Sequence, residues 1–268
     1  MKPVSAHRPV ERWRGEYVEP VEDDIAEEVP VALEYNGASH AVMLATPADL
    51  EHFALGFSLT EGILKDASQL KAIEIIEARE GIRIMMEIDE DAFSSYVFSS
   101  RNMTGRTGCG LCGVETLDAA IRRPDPVSDN FRMGSKALHH ALEAMPRHQL
   151  LQLMTGATHA AAWVSRDGEV LCVKEDVGRH NALDKLIGSL AKSGTDFSQG
   201  ALLVTSRASY EMVQKAATVG IEFLAAVSAP TNLARDLAEG TGMTLIGFAR
   251  RSGHTVYSNP HRLDQHGH

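Results

Sequence analysis

Residues 201–228 read A-L-L-V-T-S-R-A-S-Y-E-M-V-Q-K-A-A-T-V-G-I-E-F-L-A-A-V-S. Two short apolar runs, Ala201–Ser206 and Glu222–Ser228, flank a stretch with the apolar spacing of a helix, Tyr210–Val219. Short continuous apolar runs are typical of buried strands, and strands that alternate with helices build sheets with helices on their faces. This stretch therefore predicts a layered α/β fold.

The flanking sequence extends this pattern in both directions. Upstream, residues 160–173 predict a β-hairpin, because Asp167-Gly168 is the strongest turn signal in the chain. Downstream, a helix is predicted over residues 231–238 with a threonine as its cap, and residues 243–249 predict a long apolar strand. The whole C-terminal half is thus expected to form a layered α/β domain.

The N-terminal half predicts a smaller α+β domain. Its expected elements, in chain order, are a loose polar start at 1–14, an acidic solvated edge at 16–28, a β-hairpin at 29–44, a helix capped by Thr46 and ended by Gly62, and two strands over 70–88. The run 122–130 contains prolines and turn residues without periodicity, as domain linkers do. We therefore place an N-terminal domain at residues 15–125, with a Cys-x-x-Cys arm at its end, and a C-terminal domain at 131–263.

The composition argues against several classes of function. The 268 residues include 26 basic and 36 acidic ones, which gives a formal net charge of −10. General binding to nucleic acid or to an anionic membrane is therefore not expected, and an anionic ligand needs a local basic site. No apolar run approaches the ~20 residues of a membrane span, and the first residues lack the apolar segment of a signal peptide. Three cysteines do not make a disulfide scaffold, so a reducing, cytoplasmic setting is expected.

The chemistry of the chain is expected in the stretch T-G-R-T-G-C-G-L-C-G-V-E at residues 104–115, which holds Cys109 and Cys112. Four glycines allow this segment backbone conformations that other residues resist. A short amphipathic helix is predicted over residues 114–121, and the positive end of a helix favours a thiolate. Arg106 adds positive charge nearby. The segment therefore favours thiolate chemistry.

The spacing of the two cysteines alone leaves several interpretations. A structural zinc site needs four ligands, and no second Cys-x-x-Cys or His-x-x-x-His is present to complete it, so no zinc is expected. The third cysteine, Cys172, lies in an apolar strand and is interpreted as a core residue. A thioredoxin-type dithiol would follow an early strand, whereas this pair lies mid-chain, and a purely structural loop would not need two thiols. The glycines and arginines allow a persulfide carrier, and chance placement stays as open as thiol chemistry.

A second candidate site is a group of basic side chains at predicted strand ends. Arg179 and His180 follow the hairpin, Arg207 ends the next strand, and Arg250 and Arg251 leave the last long one. If these strands are parallel, the arginines gather at one edge of the sheet and suit a phosphate ligand. His180 is either a general base or a loop residue without a chemical role.

Four segments together resemble a known family. They are T-G-R-T-G-C-G-L-C-G-V-E, E-D-V-G-R-H-N-A-L-D-K, T-S-R-A-S-Y-E-M-V-Q-K and G-F-A-R-R-S-G-H-T-V-Y-S. They resemble the formate dehydrogenase accessory sulfurtransferase family, the FdhD-type proteins, and the likeness runs from about Gly15 to Leu263. The resemblance implies a C-terminal domain similar in fold to cytidine deaminases.

The resemblance also implies a function and a set of partners. It implies a cytoplasmic sulfurtransferase that accepts sulfur from a cysteine desulfurase. The sulfur passes to the molybdenum of bis-molybdopterin guanine dinucleotide, the cofactor of the client formate dehydrogenase. By position in the motif, Cys109 corresponds to the persulfide cysteine and Cys112 to the second cysteine. The residues implied to bind the cofactor are Phe248, Ala249, Arg250, Arg251, Ser252 and Gly253. A homodimer is expected on the same ground.

Two other functions compete with this one. Zinc deaminases carry His-x-Glu and Pro-Cys-x-x-Cys, whereas here Ala229-Pro230 is followed by Thr231-Asn232 without a thiol, so deaminase activity is not expected. A non-catalytic chaperone that holds the cofactor and docks on formate dehydrogenase remains open. Such a protein would keep the basic site but need neither cysteine.

Overall fold

The computed structural model describes residues 2–100, 122–251 and 253–264. The strands are β1 (Ser5–Arg14), β2 (Tyr17–Ala26), β3 (Val29–Tyr35), β4 (Ala38–Ala45), β5 (Leu70–Ala78), β6 (Gly81–Ile88), β7 (Met133–Gly134), β8 (His159–Val164), β9 (Val170–Asp176), β10 (Ala201–Val204), β11 (Phe223–Ala226), β12 (Thr244–Arg250), β13 (Gly253–Ser258) and β14 (Leu263–Asp264). The helices are α1 (Leu50–Thr60), α2 (Glu90–Ser100), α3 (Ser135–Ala144), α4 (Leu150–Thr155), α5 (Arg179–Lys192), α6 (Tyr210–Thr218) and α7 (Asn232–Thr241). Within these ranges, none of the helices has the length and apolar character needed to cross a membrane.

The central sheet has six strands in the order β13-β12-β11-β10-β8-β9. Strands β10, β11 and β12 are parallel. Both β9 and β10 are antiparallel to β8, so β9 runs in the same direction as β10. Four strands therefore end at one edge of the sheet, which we call the carboxyl edge. With helices between the strands, the predicted α/β fold class is confirmed.

The central sheet is buried on both faces, which explains its unbroken apolar strands. On β8, Ala161 and Trp163 pack in the larger hydrophobic cluster, whereas Ala162 and Val164 pack in the smaller one. Successive side chains of a strand point to opposite faces, so the two clusters lie on the two faces of the sheet. Helices α5, α6 and α7 contribute to the larger cluster, and α3 contributes to the smaller.

A second sheet, in the order β4-β3-β6-β5, forms most of the N-terminal half. The predicted hairpin turn is confirmed, with Asn36 at φ 46° and Gly37 at φ 80° between β3 and β4. Helix α1 covers this sheet and packs on α5, and buried residues of both halves belong to one hydrophobic cluster. The division into domains at 15–125 and 131–263 stays a prediction.

The chain start differs from the expectation of a loose segment. Strands β1 and β2 form a hairpin of ten residue pairs, from Ser5–Ala26 to Arg14–Tyr17. Most of its side chains are exposed, which agrees with the predicted acidic solvated edge. The pairing sets Arg12 opposite Glu19, and opposite charges in cross-strand pairs stabilise a hairpin. The pairing cannot be predicted from either segment taken alone.

The start of α1 also corrects the prediction. The helix begins at Leu50, and its N-cap is Asp49 in a left-handed conformation, with φ 53°. Thr46 instead makes a tertiary contact, because its hydroxyl accepts a hydrogen bond of 3.1 Å from the amide of Val177. The predicted cap of α7 is confirmed, since the Thr231 side chain accepts from the amide of Ala234.

The run 122–130 has neither helix nor strand, as expected, yet buried charge fixes it in place. Glu222, fully buried, accepts hydrogen bonds from the Ser128 hydroxyl at 2.5 Å and from the Phe131 amide at 2.9 Å. Arg262 donates to the same carboxylate at 3.2 Å. The turn that carries Arg262 and the run 122–130 are therefore held at one buried carboxylate.

Candidate functional site at the carboxyl edge

Three loops and one strand end lie at the carboxyl edge. The loop after β9 carries Arg179 and His180 at the start of α5, and the loop after β10 carries Arg207 and Ser209 just before α6. The end of β12 and the turn to β13 contribute Arg250 and Arg251, and the loop after β11 leads to Thr231. The expectation that these arginines share one edge of the sheet is confirmed by the strand directions.

The loops after β9 and β10 meet over the amino end of β8. His159 pairs with Asp176 at the end of β9, and the next amide of β8 donates 2.9 Å to the Thr205 hydroxyl beyond β10. Burial lowers the pKa of His159, and the nearby charges of Arg179 and His180 act in the same direction. His159 thus lies beneath both loops and close to their basic side chains.

His180 and Glu211 form a close polar contact in the site. Nε2 of His180 lies 2.7 Å from Oε2 of Glu211, and the two side chains are only 16% and 22% exposed. The nitrogen is nevertheless among the buried atoms that make no aligned hydrogen bond to the described residues. The two atoms are therefore at ion-pair distance without an aligned hydrogen bond.

Two further buried atoms of this edge lack hydrogen-bond partners among the described residues. They are Nε of Arg179 and Oγ of Ser209. Ser209 is the N-cap residue of α6, but its side chain makes no capping hydrogen bond to that part of the helix which the structure describes. Buried polar groups are rarely left unpaired, so these atoms distinguish the site from the rest of the described fold.

Most of the segment E-D-V-G-R-H-N-A-L-D-K serves the fold. Asp176 is fully buried, lies 2.6 Å from Nζ of Lys185, and accepts hydrogen bonds from the amides of Thr46 and Gly178. Glu175 accepts 2.9 Å and 2.8 Å bonds from the first amides of α4. These contacts fix the loop around Arg179 and His180, whose own side chains point to a role other than stability.

A second buried charge cluster connects α1, α5 and α6. Lys215 lies 3.0 Å from Asp184 and 3.1 Å from Glu61, and it donates 2.9 Å to the Thr60 hydroxyl. Burial raises the pKa of Asp184. Next to this cluster, Nη1 of Arg122 donates to the carbonyl and carboxylate of Glu61.

The segment that follows the cysteine pair enters the described structure at this edge. The Tyr210 hydroxyl donates 2.5 Å to the carbonyl of Arg122, and Tyr210 precedes Glu211 in α6. Burial raises the pKa of Tyr210. Cys109 and Cys112 themselves lie outside the described residues, as does the predicted helix at 114–121. Arg122 therefore attaches the thiol segment beside the site.

The predicted cofactor segment, Phe248 to Gly253, runs from the end of β12 to the first residue of β13. Phe248 has a φ of 50° at a shift in the strand register, and its side chain is 46% exposed. The ring is therefore not part of the hydrophobic core. Arg250 and Arg251 are exposed, with Arg251 3.4 Å from Glu143 of α3. Ala249 is buried, and Ser252 lies outside the described residues.

Three residues of the site were not predicted from the sequence: His159, Ser209 and Glu211. His159 starts a strand antiparallel to its neighbours, so the register had to be known to place it at the carboxyl edge. Ser209 and Glu211 have a local signal, a capping-type residue after a buried strand followed by an acid in the first helical turn. Cys172 is partly buried beside the core, as expected.

The described residues contain no group of three or more histidine, cysteine, aspartate or glutamate side chains arranged to hold a metal ion. The only cysteine among them is Cys172, so this observation does not test the cysteine pair. The absence of zinc stays a prediction.

A family model described as the FdhD/NarQ family matches residues 26–264. The chain belongs to this family. Among similar proteins, one from Cupriavidus necator is 56% identical over 95% of this chain and 88% of its own length. One from Xanthomonas euvesicatoria is 50% identical over 98% and 94%, and one from Bordetella petrii is 53% identical over 90% and 87%. All three are named sulfur carrier protein FdhD.

A solved structure supports the fold independently. It is a crystal structure described as that of a formate dehydrogenase accessory protein from Desulfotalea psychrophila, with a TM-score of 0.76. The alignment covers 98% of this chain and 100% of the other at 23% identity. The two proteins therefore share their fold over nearly the full length of both chains.

Proposed function

We propose that this protein is a sulfur carrier in the maturation of formate dehydrogenase. The observation that carries the proposal is membership of the FdhD/NarQ family, with relatives named sulfur carrier at 50–56% identity over at least 90% of the chain. The sulfur is carried as a persulfide on Cys109, the first cysteine of the Cys-x-x-Cys segment. Cys112 is proposed to support it.

Sulfur loading is a thiol exchange in which atoms and electrons balance. The thiolate of Cys109 attacks the outer sulfur of a persulfide on the donor, a cysteine desulfurase. A new S–S bond forms at Cys109 while the S–S bond of the donor breaks, and the donor cysteine leaves as a thiolate. No external oxidant is consumed, because the outer sulfur keeps its oxidation state.

The thiols can reach the carboxyl edge. Arg122 is the tenth residue after Cys112, and ten residues span at most about 35 Å when extended. Arg122 is bound at Tyr210, next to Glu211 and His180. A sulfur carried on this segment can therefore be presented to a ligand at the edge.

The edge suits an anionic cofactor in an acidic protein. Arg179, Arg207, Arg250 and Arg251 converge there, although the chain has a net charge of −10. We propose that bis-molybdopterin guanine dinucleotide binds at this edge, with Phe248 to Gly253 at the guanine end, and that its molybdenum receives the sulfur. The cofactor is then delivered to formate dehydrogenase.

Intact-mass measurement tests the sulfur-carrier function. The protein is incubated with a cysteine desulfurase and cysteine, and the expected result is a mass increase of one sulfur atom that Cys109→Ala abolishes. Cys172→Ala is the matched control and should load normally, since Cys172 packs beside the core. A Cys109→Ala protein that still activates formate dehydrogenase in cells would instead support the non-catalytic chaperone.

A further inference from the structure

Four charged side chains meet where α1, α5 and α6 pack together, and one of them comes from the chain just after the cysteine segment. Nζ of Lys215 lies 3.0 Å from Asp184 and 3.1 Å from one carboxylate oxygen of Glu61. The other carboxylate oxygen of Glu61 lies 3.2 Å from Nη1 of Arg122. Since Lys215 alone cannot balance two carboxylates in a largely buried place, Arg122 supplies the fourth charge and makes the cluster neutral.

Arg122 is held at its side chain and at its main chain. Its guanidinium donates a second hydrogen bond of 2.9 Å to the carbonyl of Glu61, at the end of α1. Its own carbonyl accepts a 2.5 Å hydrogen bond from the hydroxyl of Tyr210, the first residue of α6. We call these three residues, Arg122, Glu61 and Tyr210, the Arg122 clamp. The clamp fixes both the position and the direction of the chain at this residue.

The stability of α1 does not explain the clamp. The end of this helix is closed by its own backbone, because the amide of Glu61 donates to the carbonyl of Phe57 and the amide of Ile63 donates to that of Ser58, both at 2.9 Å. The side chain of Arg122 is 38% exposed, and ion pairs in contact with water contribute little to stability. The effect of the clamp is therefore greatest on the chain that leads to the cysteines.

We propose that Arg122 is a positioning residue for sulfur delivery, held in place by Glu61 and Tyr210. This role rests on the proposed function, in which Cys109 carries the sulfur. A fixed attachment point restricts where a tethered thiol can lie and so raises its effective concentration at the carboxyl edge. Loading by the desulfurase needs only an accessible thiolate, whereas delivery needs the sulfur at a set place on this chain. The clamp therefore acts on delivery and not on loading.

Limited digestion of the free, full-length protein with trypsin tests the clamp itself. Trypsin cleaves after Arg122, whereas Pro124 blocks cleavage after Arg123. Tyr210→Phe removes only the hydroxyl, so the bond after Arg122 should be cut roughly two- to tenfold faster than in the parent, because one hydrogen bond no longer opposes local opening. Tyr17→Phe is the matched control at an exposed tyrosine and should be cut at the parent's rate.

Loading and delivery are then measured separately on two clamp variants, Tyr210→Phe and Arg122→Lys. Lysine keeps the positive charge of the cluster but lacks the planar guanidinium that donates to carbonyl and carboxylate together. By intact mass, both variants should gain one sulfur from the desulfurase as the parent does. Activation of formate dehydrogenase in cells that lack the parent protein should fall roughly tenfold. Arg123→Lys, at the exposed neighbouring arginine, is the matched control and should behave as the parent in both measurements.

Three results would overturn the proposal. They are parent-like cleavage of Tyr210→Phe, parent-like activation of formate dehydrogenase by both clamp variants, and a loss of loading as large as the loss of activation. Failure of the parent's Cys109 to load sulfur would instead refute the proposed function, and with it the part of Arg122 in delivery. The tryptic rates involve no sulfur, so they show independently whether the clamp holds the chain.

Discussion

Gly56 of α1 and Gly188 of α5 lie against each other where the two helices cross, backbone against backbone. A Cβ atom on Gly56 would come within 1.7 Å of the Asp184 carbonyl oxygen, and one on Gly188 within 1.9 Å of the His52 carbonyl oxygen. No side chain fits between helices this close. The crossing connects the N-terminal half of the chain to the helix that carries Arg179 and His180.

Gly188→Ala should therefore destabilise the protein strongly, by about 2–4 kcal/mol, because the added methyl group meets backbone that cannot move aside. Urea unfolding measures the change. Gly240→Ala is the matched control within a helix, since among the described residues nothing lies within 4 Å of its added Cβ. The free energy of unfolding of that variant should rise by about 0.5–1 kcal/mol, because alanine has a higher helix propensity than glycine. Equal effects of the two substitutions would contradict the close crossing.

The buried pair of Lys185 and Asp176 should contribute more to the free energy of unfolding than an exposed pair on α5 does. Both side chains are 0% exposed and lie 2.6 Å apart. Lys185→Met leaves a buried carboxylate without its cation, which typically costs about 3–5 kcal/mol. Lys192→Met is the control on the same helix, because Lys192 and Glu51 are more than half exposed and such pairs contribute about 1 kcal/mol or less.

The Lys185 variant also tests how the edge is held. Asp176 anchors the loop that carries Arg179 and His180, so the variant should lose affinity for guanosine diphosphate at temperatures where it is still folded. Parent-like binding by a destabilised but folded Lys185→Met protein would show that the loop keeps its shape without the pair.

The sequence predicted the architecture where the signal is local. The Asn36-Gly37 and Asp167-Gly168 turns, the apolar strands and the Thr231 cap all depend on neighbouring residues, and the structure contains each of them. The gathering of the arginines at the carboxyl edge was predictable because parallel strands all end at the same edge of a sheet.

What the sequence could not show depends on contacts between distant segments. Thr46 has the sequence context of a helix cap, but its hydroxyl accepts instead from Val177, 131 residues away. Asp184 and Lys215 have no feature in the sequence that marks them as a buried ion pair. They form one because α1 packs over them. The atoms of Arg179 and Ser209 that lack hydrogen-bond partners can be recognised only once their burial is known, and burial at this level is not visible in the sequence.

His254 should make the protein less stable in mild acid. Its Nδ1 lies 2.9 Å from Nε2 of His139 on α3, and burial, with a smaller effect of His139, lowers its pKa below the ordinary 6.5. The unfolded chain therefore takes up the proton first. The stability linked to His254 is complete above 6.5 and is lost as the pH falls through 6.5 towards the lower folded-state pKa.

Urea midpoints at about pH 7.5 and about pH 5.5 measure this dependence. His139→Gln keeps a hydrogen-bonding side chain but removes the neighbouring ring that helps to lower the pKa of His254. The drop in midpoint between the two conditions should therefore become smaller than in the parent. Burial also lowers the pKa of His159, which contributes a drop of the same sign. His159 is present in both proteins, so its contribution does not affect the comparison. Exposed His148 provides the control, and His148→Gln should leave the drop unchanged.

Phe248 allows binding to be separated from stability. Its left-handed backbone, with φ 50°, costs a residue with a side chain on the order of 1–2 kcal/mol. Glycine relieves that strain but gives up the partial burial of the ring and adds backbone freedom in the unfolded chain. These effects oppose each other, so Phe248→Gly should change the free energy of unfolding by no more than about 1 kcal/mol.

The same substitution should weaken guanosine diphosphate binding if the exposed ring stacks on the guanine base. Stacking of a base on an aromatic side chain is worth about 1–3 kcal/mol, which corresponds to a roughly five- to hundredfold loss of affinity. Phe248→Asn is the second variant, because asparagine tolerates the left-handed backbone while removing the ring. Pyrophosphate, which has no base, should bind both variants as tightly as the parent. If both variants also keep the parent's affinity for guanosine diphosphate, Phe248 does not contact the base, and its strained backbone serves only the turn between β12 and β13.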